Sequence, residues 1–228
     1  MISKILLQKS KEKVEDHIVE MIASNLTEEW NYINYVNGEE VKFFKDNPLD
    51  EFPDIVNKFN SYENNQHKTD LFRYYYLYIN GGVYLNSYAM LHENITKIVK
   101  DYDLVAVISF FPSSIFNGFI ATIPKHPLIY AALKYMYEAD TKSLLLDYHK
   151  PGKFLYDLLS KNKYDNIFLY KEYLNKGVGY TYDKDSMSLI VQYYIDKTVP
   201  RLKEKEKLTS GKVRWESSTL KKVVYYKK

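Results

Sequence analysis

The 228-residue chain contains no cysteine and only eight glycines, and its long apolar runs are few. The absence of cysteine excludes disulfide bonds, thiolate metal sites and a cysteine nucleophile. No glycine-rich phosphate loop of the Walker or dinucleotide type is present. No apolar stretch approaches the roughly 20 residues that span a membrane, and the first residues lack the pattern of a secretory signal. We therefore expect a cytoplasmic or otherwise soluble intracellular protein that is encoded by a virus or a bacterium.

The composition is that of an ordinary globular domain, with 46% hydrophobic and 27% charged residues. We expect a single domain over residues 1–228. The net charge is only +3, and the basic excess gathers between Lys203 and Lys228. This tail is either a solvated end or a patch for an anionic partner, such as the surface of a membrane in peripheral contact. Nucleic-acid binding is not expected, because no RNA- or DNA-binding module matches the sequence.

Strand-like and helix-like segments alternate along the chain, which predicts an α/β fold with a mostly parallel central sheet flanked by helices. The strongest helix signal runs from Asn65 to Asn80 and ends at Gly81 and Gly82. Such sheets bind ligands beyond the carboxyl ends of their strands. Strands are predicted at 2–7, 32–36, 83–85, 104–109, 119–123 and 167–170, and helices at 11–30, 39–45, 53–62, 65–80, 127–139 and 153–161.

Three chemically active side chains recur at three-residue spacing in the strongest helix, namely His67, Asp70 and Arg73. This spacing places them close together on one helical face. Asp70 and Arg73 could form an exposed salt bridge worth a few tenths of a kcal/mol. They could instead reach the hydroxyl groups of a sugar at the mouth of the sheet. Spacing alone favours the exposed pair.

The segment from His67 to Leu91 resembles the sugar-binding region of the DXD-type glycosyltransferases. These are the family 32 enzymes, related to fungal initiating mannosyltransferases and, more distantly, to large glucosylating toxins. The matching residues are an Asp-x-x-Arg helix, a Gly-Gly pair and an apolar-Tyr-Leu strand: Asp70, Arg73, Gly81, Gly82, Tyr84 and Leu85. The first strand, ending at Gln8, is similar to another family segment, and so are Asn117-Gly118 and Lys125-His126-Pro127. The resemblance covers about residues 1–135.

The resemblance implies a single nucleotide-binding domain of the GT-A type. Residues 1–135 would be its donor-binding part, and residues 136–228 its acceptor side and basic tail. It implies transfer of a hexose from a UDP- or GDP-sugar to a glycan or protein acceptor, with retention at the anomeric carbon. Asp70, Arg73 and Asn117 would be the catalytic residues. The other residues of the donor and nucleotide site would be Leu6, Gln8, His67, Tyr84, Asn86, Tyr88 and, as part of a lid, Trp215.

The chain departs from the family where the Asp-x-Asp triplet should follow Leu85, because Asn86-Ser87-Tyr88 stands there. In the family those carboxylates hold Mn²⁺ or Mg²⁺, and hard cations prefer charged oxygen ligands. Asn86 and Tyr88 are therefore degenerate metal positions, and no cofactor is certain.

Three interpretations of this departure stay open. The enzyme works without metal and neutralises the diphosphate with Arg73, Lys125 or His126. Alternatively, it is an inactive relative that binds a sugar nucleotide or glycan. In the third interpretation, other groups hold the metal, although the triplet Asp101-Tyr102-Asp103 precedes a strand and Asp183-Lys184-Asp185 lies in a loop-like region. A further alternative is an interaction scaffold that uses the basic tail.

Overall fold

The computed structural model describes residues 1–175, 178–183 and 189–194. These residues belong to one compact unit, Met1–Ile195. Trp215, the basic tail, Lys184 and Asp185 lie outside the described residues. The elements, in chain order, are β1 (Ile5–Ser10), α1 (Asp16–Ala23), β2 (Asn31–Val36), α2 (Glu39–Asp46), α3 (Ile55–Ser61), α4 (Asn65–Asn80), β3 (Gly82–Leu85), β4 (Ala89–Leu91), α5 (Ile95–Val99), β5 (Leu104–Ile108), β6 (Ile115–Thr122), α6 (Pro127–Glu138), α7 (Thr141–Leu145), α8 (Lys150–Lys161), β7 (Ile167–Asn175), β8 (Val178–Tyr182) and β9 (Leu189–Tyr194).

Within this described part, nine strands form one sheet in the order β2-β1-β3-β6-β5-β7-β8-β9-β4. The predicted α/β class is confirmed. The sheet is mixed rather than mostly parallel, because only the pairs β1–β2, β1–β3 and β5–β7 are parallel. The reason lies in the connections: residues 109–114 alone join β5 to β6, and a parallel crossover needs a dozen or more residues.

Helix α4 is buried along most of its length, from His67 to Leu77. It packs between α3, α6 and the sheet strands β3 and β6. Asn64 caps its first turn by accepting a hydrogen bond from the backbone N–H of Gln66 at 2.8 Å. Buried tyrosines of α4 find partners for their hydroxyl groups, since Tyr75 donates to the carbonyl oxygen of Asn47. The helix is therefore a central layer of the core, and its polar residues face other protein groups.

The two edges of the sheet are defined by strand register. Leu85 at the end of β3 pairs with Phe119, and Ile108 at the end of β5 pairs with Ile115. The carboxyl ends of β3 and β5 therefore meet the beginning of β6 at one edge. The end of β6 lies at the opposite edge, where Thr122 pairs with both Gly82 and Leu104. The strand register therefore decides at which of the two edges a polar residue near the end of a strand lies.

Helix α1 is shorter than predicted, and several short elements were not predicted. It ends at Ala23, and Asn25 then donates side-chain hydrogen bonds to the carbonyl oxygens of Met21 and Leu91. These bonds tie the following segment to β4 instead of continuing the helix. The unpredicted elements are β4, α5, α7, β8 and β9. No helix in the parts of the chain that the structure describes is long and apolar enough to cross a membrane.

Gly81 makes the turn from α4 into β3 with φ of 64°, where a side chain has no room. A Cβ atom there would lie 2.7 Å from the carbonyl oxygen of Thr122 and 2.7 Å from Cδ of Pro124. Gly38 has φ of 100° but nothing within 4 Å of such a Cβ. Both alanine variants carry backbone strain of roughly 1–3 kcal/mol. We expect Gly81→Ala to lower the free energy of unfolding by about 3 kcal/mol or more, measured in urea. Gly38→Ala is the control, and equal losses in the two variants would contradict the role of the Thr122 contact.

Candidate active site

A cavity of about 270 Å³ opens at the edge where β3 and β5 end and β6 begins. Its wall contains Asp70 from α4, Asn86 and Tyr88 from the turn after β3, Asn117 from β6 and Glu172 from β7. Ligands of sheets that contain parallel strands bind beyond the carboxyl ends of those strands. The cavity occupies that position.

Asp70 and Asn117 line this cavity, and Arg73 lies behind Asp70. Arg73 donates from Nη1 to Oδ1 of Asp70, and Asn117 donates from Nδ2 to the same oxygen at 3.3 Å. Tyr74 donates its hydroxyl to Oδ1 of Asn117 at 2.9 Å. The exposed fraction is 2% for Asp70 and 0% for Arg73. The interpretation of an exposed salt bridge is therefore wrong, and the pair is a buried one that connects α4 to β6.

Arg73 lies against an aromatic ring as well as a carboxylate. Its guanidinium carbon is 4.1 Å from the ring centroid of Tyr84, within the range of a cation–π contact. Burial would lower the pKa of Arg73, but the neighbouring Tyr84 and Asp70 outweigh that effect and raise it. Arg73 therefore stays charged beneath the cavity, and Tyr84 supports it from β3.

His67 lies one layer behind the cavity wall. Its ring is fully buried between Tyr62 and Tyr148, with ring centroids 6.1 and 6.3 Å away. Neither ring nitrogen has a hydrogen-bond partner among the described residues. Burial lowers the pKa of His67, although Asp70 opposes the shift. A neutral imidazole that supports Tyr148 from behind is consistent with these contacts.

The turn Asn86-Ser87-Tyr88 is held mainly through its backbone. The N–H of Asn86 donates to the carbonyl oxygen of Gly118, and the carbonyl oxygen of Asn86 accepts from Nε2 of Gln8 at 2.9 Å. The side-chain Oδ1 of Asn86 accepts from the N–H of Ser87 at 3.0 Å. The side-chain oxygen of Asn86, which is the atom best suited to bind a metal ion, thus already accepts a hydrogen bond within the turn.

The side chains around this turn do not fit a metal held in the DXD manner. Asn86 and Tyr88 are neutral, and Oδ1 of Asp70 is paired with Arg73. Within residues 1–175, 178–183 and 189–194, no group of three His, Cys, Asp or Glu side chains could hold an ion. Hard cations need several oxygen ligands with compensating charge. The described residues provide no such set at the turn.

Two residues expected near the nucleotide lie on β1. Leu6 is fully buried near the beginning of β1, where it pairs with Val83, and it belongs to the core. Gln8 is buried too, and it accepts from the hydroxyl of Tyr32 at 2.7 Å while donating to Asn86. Leu6 therefore does not line the cavity, and Gln8 positions the turn that does.

Lys125 and His126 lie at the opposite edge of the sheet, after the end of β6. The N–H of Lys125 donates to the carbonyl oxygen of Tyr78, and His126 caps α6 by accepting from the N–H of Leu128. Their expected role at the diphosphate is wrong, because register separates them from the cavity by the length of β6. The triplet Asp101-Tyr102-Asp103 precedes β5 at that same far edge, as its sequence position predicted.

Several cavity residues were not predicted, above all Glu172, Tyr193, Tyr148 and His149. Glu172 lies on β7 beyond the predicted end of that strand. The available signal was its period-two spacing from Tyr170, which places a carboxylate on a buried face. The other three residues belong to no sequence motif. The position of His149 at the cavity is visible only in the structure, where its ring stacks on Phe111 with centroids 3.7 Å apart.

The match to a known protein family includes part of the cavity wall. Residues 8–105 match the sequence profile of a family described as "Glycosyltransferase sugar-binding region containing DXD motif". None of the curated proteins matches the chain. A solved structure titled "PaToxG Glycosyltransferase" is similar, with 15% identity, a TM-score of 0.46, and coverage of 68% of this chain and 67% of that chain. The profile match includes Asp70, Arg73 and the Asn86–Tyr88 turn, and it supports a glycosyltransferase in general terms.

The buried pair predicts a large loss of stability when one partner is removed. Asp70→Ala leaves the Arg73 guanidinium buried without its counter-charge, and breaking a buried pair costs about 3–5 kcal/mol. We expect a loss of that size in the free energy of unfolding, measured in urea, and a smaller one for Asp70→Asn. Asp16→Ala is the matched control, because it breaks an exposed i,i+3 pair with Lys13. A loss for Asp70→Ala as small as for Asp16→Ala would show that the pair is not structural.

Proposed function

We propose that the chain is a glycosyltransferase that transfers a hexose from a UDP- or GDP-sugar to a glycan or protein acceptor, with retention at the anomeric carbon. The donor sugar would occupy the cavity beside Asp70. One observation carries this proposal: Asp70, paired with the buried Arg73, lines the cavity and lies inside the segment that matches a glycosyltransferase sugar-binding region.

Asp70 has the geometry of a residue that binds sugar hydroxyl groups. The side chains of Arg73, Gln66 and Asn117 all donate to its Oδ1. Oδ2 is the oxygen left to accept hydrogen bonds from a ligand, and bonds from hydroxyls to an ionised carboxylate are strong ones. Arg73, fully buried, would act through Asp70 by orienting its carboxylate. Asn117 would complete the donor pocket from β6.

The same geometry supports a reaction that does not depend on a DXD-held metal. The wall of the cavity contains neither lysine nor arginine among its described residues. The diphosphate would therefore lie outside the cavity, beyond the carboxyl end of β1, which is parallel to β3 and ends at the same edge. Lys11 follows β1 directly and is exposed. Its ammonium group would compensate the charge of the leaving diphosphate.

The second candidate is a relative that binds a sugar nucleotide or glycan without turnover. It is favoured by the loss of both carboxylates at Asn86 and Tyr88. The scaffold alternative depends on the basic tail, which lies outside the described residues. The two site-based candidates make different demands on the same cavity, since only the first requires cleavage of the bond between sugar and diphosphate.

A panel of donors separates these candidates. We expect one UDP- or GDP-sugar to yield free nucleoside diphosphate at the same rate with Mn²⁺ and with EDTA. Asp70→Asn should lower that rate about tenfold or more, because it weakens hydrogen bonds to a charged group. Asp46→Asn, in an exposed pair with Lys42, is the control and should leave the rate unchanged. Stabilisation by a nucleotide in a thermal-shift assay without turnover would favour the binding protein, and no binding at all would exclude both.

The position of Lys11 yields a separate prediction. Lys11→Ala should raise KM for the donor several-fold and make KM less sensitive to salt, because a screened charge contact to the diphosphate is lost. Lys42→Ala removes an exposed lysine from α2 and should change neither quantity. Steady-state kinetics at low and high ionic strength measures both. An unchanged KM in Lys11→Ala would remove Lys11 from the donor site and leave the role of Asp70 standing.

A further inference from the structure

A second carboxylate, Glu172, lines the cavity that contains Asp70. Its exposed fraction is only 4%. Oε2 accepts hydrogen bonds from the hydroxyl of Ser109 at 2.7 Å and from the N–H of Phe110 at 3.0 Å. Oε1 accepts from the hydroxyl of Tyr193. Strands β7 and β9 and the link after β5 therefore converge on one acidic group.

The aromatic stack beside Glu172 depends on two glycines. The rings of Phe116 and Tyr193 are stacked at 4.7 Å with an angle of 11° between their planes. A Cβ atom at Gly179 would overlap the ring of Tyr193, and one at Gly118 would overlap the ring of Phe116. Because neither glycine has a side chain, the ring of Tyr193 can lie across β8, and its hydroxyl group reaches Glu172 on β7. The surroundings of Glu172 have the features of a built site.

The hydrogen bonding of Glu172 leaves capacity for a ligand. An ionised carboxylate offers about four acceptor positions, and three donors occupy them here. Among the residues that the structure describes, Oε1 receives a hydrogen bond only from Tyr193, so the fourth position is on that oxygen. Burial raises the pKa of Glu172, while the bonds from Tyr193, Ser109 and Phe110 oppose the shift. A ligand hydroxyl that donates to Oε1 would favour the charged form in the same way.

The chemistry of the wall selects for a ligand rich in hydroxyl groups. Asp70 and Glu172 both accept hydrogen bonds, and no lysine or arginine is present on the described wall. A phosphate would be repelled there, whereas sugar hydroxyls can donate to both carboxylates. Tyr148 and Phe110 also line the cavity, with exposed fractions of 51% and 42%. Their rings offer a surface on which the apolar face of a sugar ring can pack.

We infer that Glu172 is the acceptor-side carboxylate of this cavity, and that it binds a hydroxyl group of a carbohydrate acceptor whose ring packs on Tyr148 and Phe110. This inference rests on the proposed function, in which Asp70 holds the donor sugar. It assigns the two carboxylates to two different sugars. It also favours a glycan over a peptide acceptor, because the hydrogen-bonding groups of the wall are matched by hydroxyls.

Binding of simple methyl glycosides tests the inference without requiring turnover. The probes are a panel of methyl α- and β-hexopyranosides, with binding measured by saturation-transfer NMR. We expect at least one to bind the wild-type chain, and Glu172→Gln to weaken that binding about tenfold or more. Glu172→Gln can keep the bonds from Ser109 and Phe110 through its amide oxygen. Tyr148→Ala should weaken binding as well, while Glu138→Gln, in an exposed pair with Lys134, is the matched control and should not.

A pH series adds a readout that a structural role would not change. The groups facing Glu172 around the cavity are Asp70, Tyr88, Tyr148, His149 and Tyr193. If ionised Glu172 binds the glycoside, binding is full above its raised pKa and is lost as the pH falls through it. Glu172→Gln should lack this acidic loss, whereas the other groups that face the cavity are the same in both proteins.

The outcomes separate this inference from the proposed function. Unchanged glycoside binding in a folded Glu172→Gln variant would overturn the inference and leave the donor experiment untouched. So would a wild-type chain that transfers sugar to peptides but binds no glycoside. Glycoside binding that depends on Glu172, in a chain that neither binds nor cleaves any donor, would support the carbohydrate subsite and overturn the transferase proposal.

Discussion

The buried ion pair of Asp70 and Arg73 is the constraint on which the rest of the site depends. A guanidinium with no exposed surface is stable only with a counter-charge and further partners around it. Asp70 supplies the charge, and Tyr84 supplies a ring face from β3. Asn117 then joins Asp70 from β6. The pair thus connects a helix and two strands, so the geometry of the cavity and the stability of the core are coupled.

Two carboxylates face the same cavity, but their surroundings differ. Asp70 is paired with a full positive charge, whereas Glu172 is held by the neutral donors Ser109, Phe110 and Tyr193. Environments of this kind give two chemically identical groups different roles. The asymmetry is consistent with a donor sugar beside Asp70 and a second sugar beside Glu172.

Much of the fold follows from local sequence patterns. The bounds of α4 are those predicted, because the Asn64 cap and the glycine turn after Asn80 are local signals. The apolar run from Leu104 correctly indicated a buried strand. The mixed character of the sheet was missed, because strand direction depends on the lengths of connections and on pairing between distant segments. The short strands β4, β8 and β9 were missed for a related reason, because they are defined by the strands they pair with more than by their own periodicity.

The sequence by itself placed Asp70 and Arg73 on one helical face, because helical spacing is a property of the chain. It associated Asn117 with them only through the family resemblance. Only the tertiary structure decided that the ion pair is buried, that Leu6 belongs to the core and that Lys125 and His126 lie at the wrong edge. It also revealed Glu172, whose partners Ser109 and Tyr193 are 63 and 21 residues away. The physical reason is that burial and edge position arise from strand register, which long-range hydrogen bonds set and no local pattern encodes.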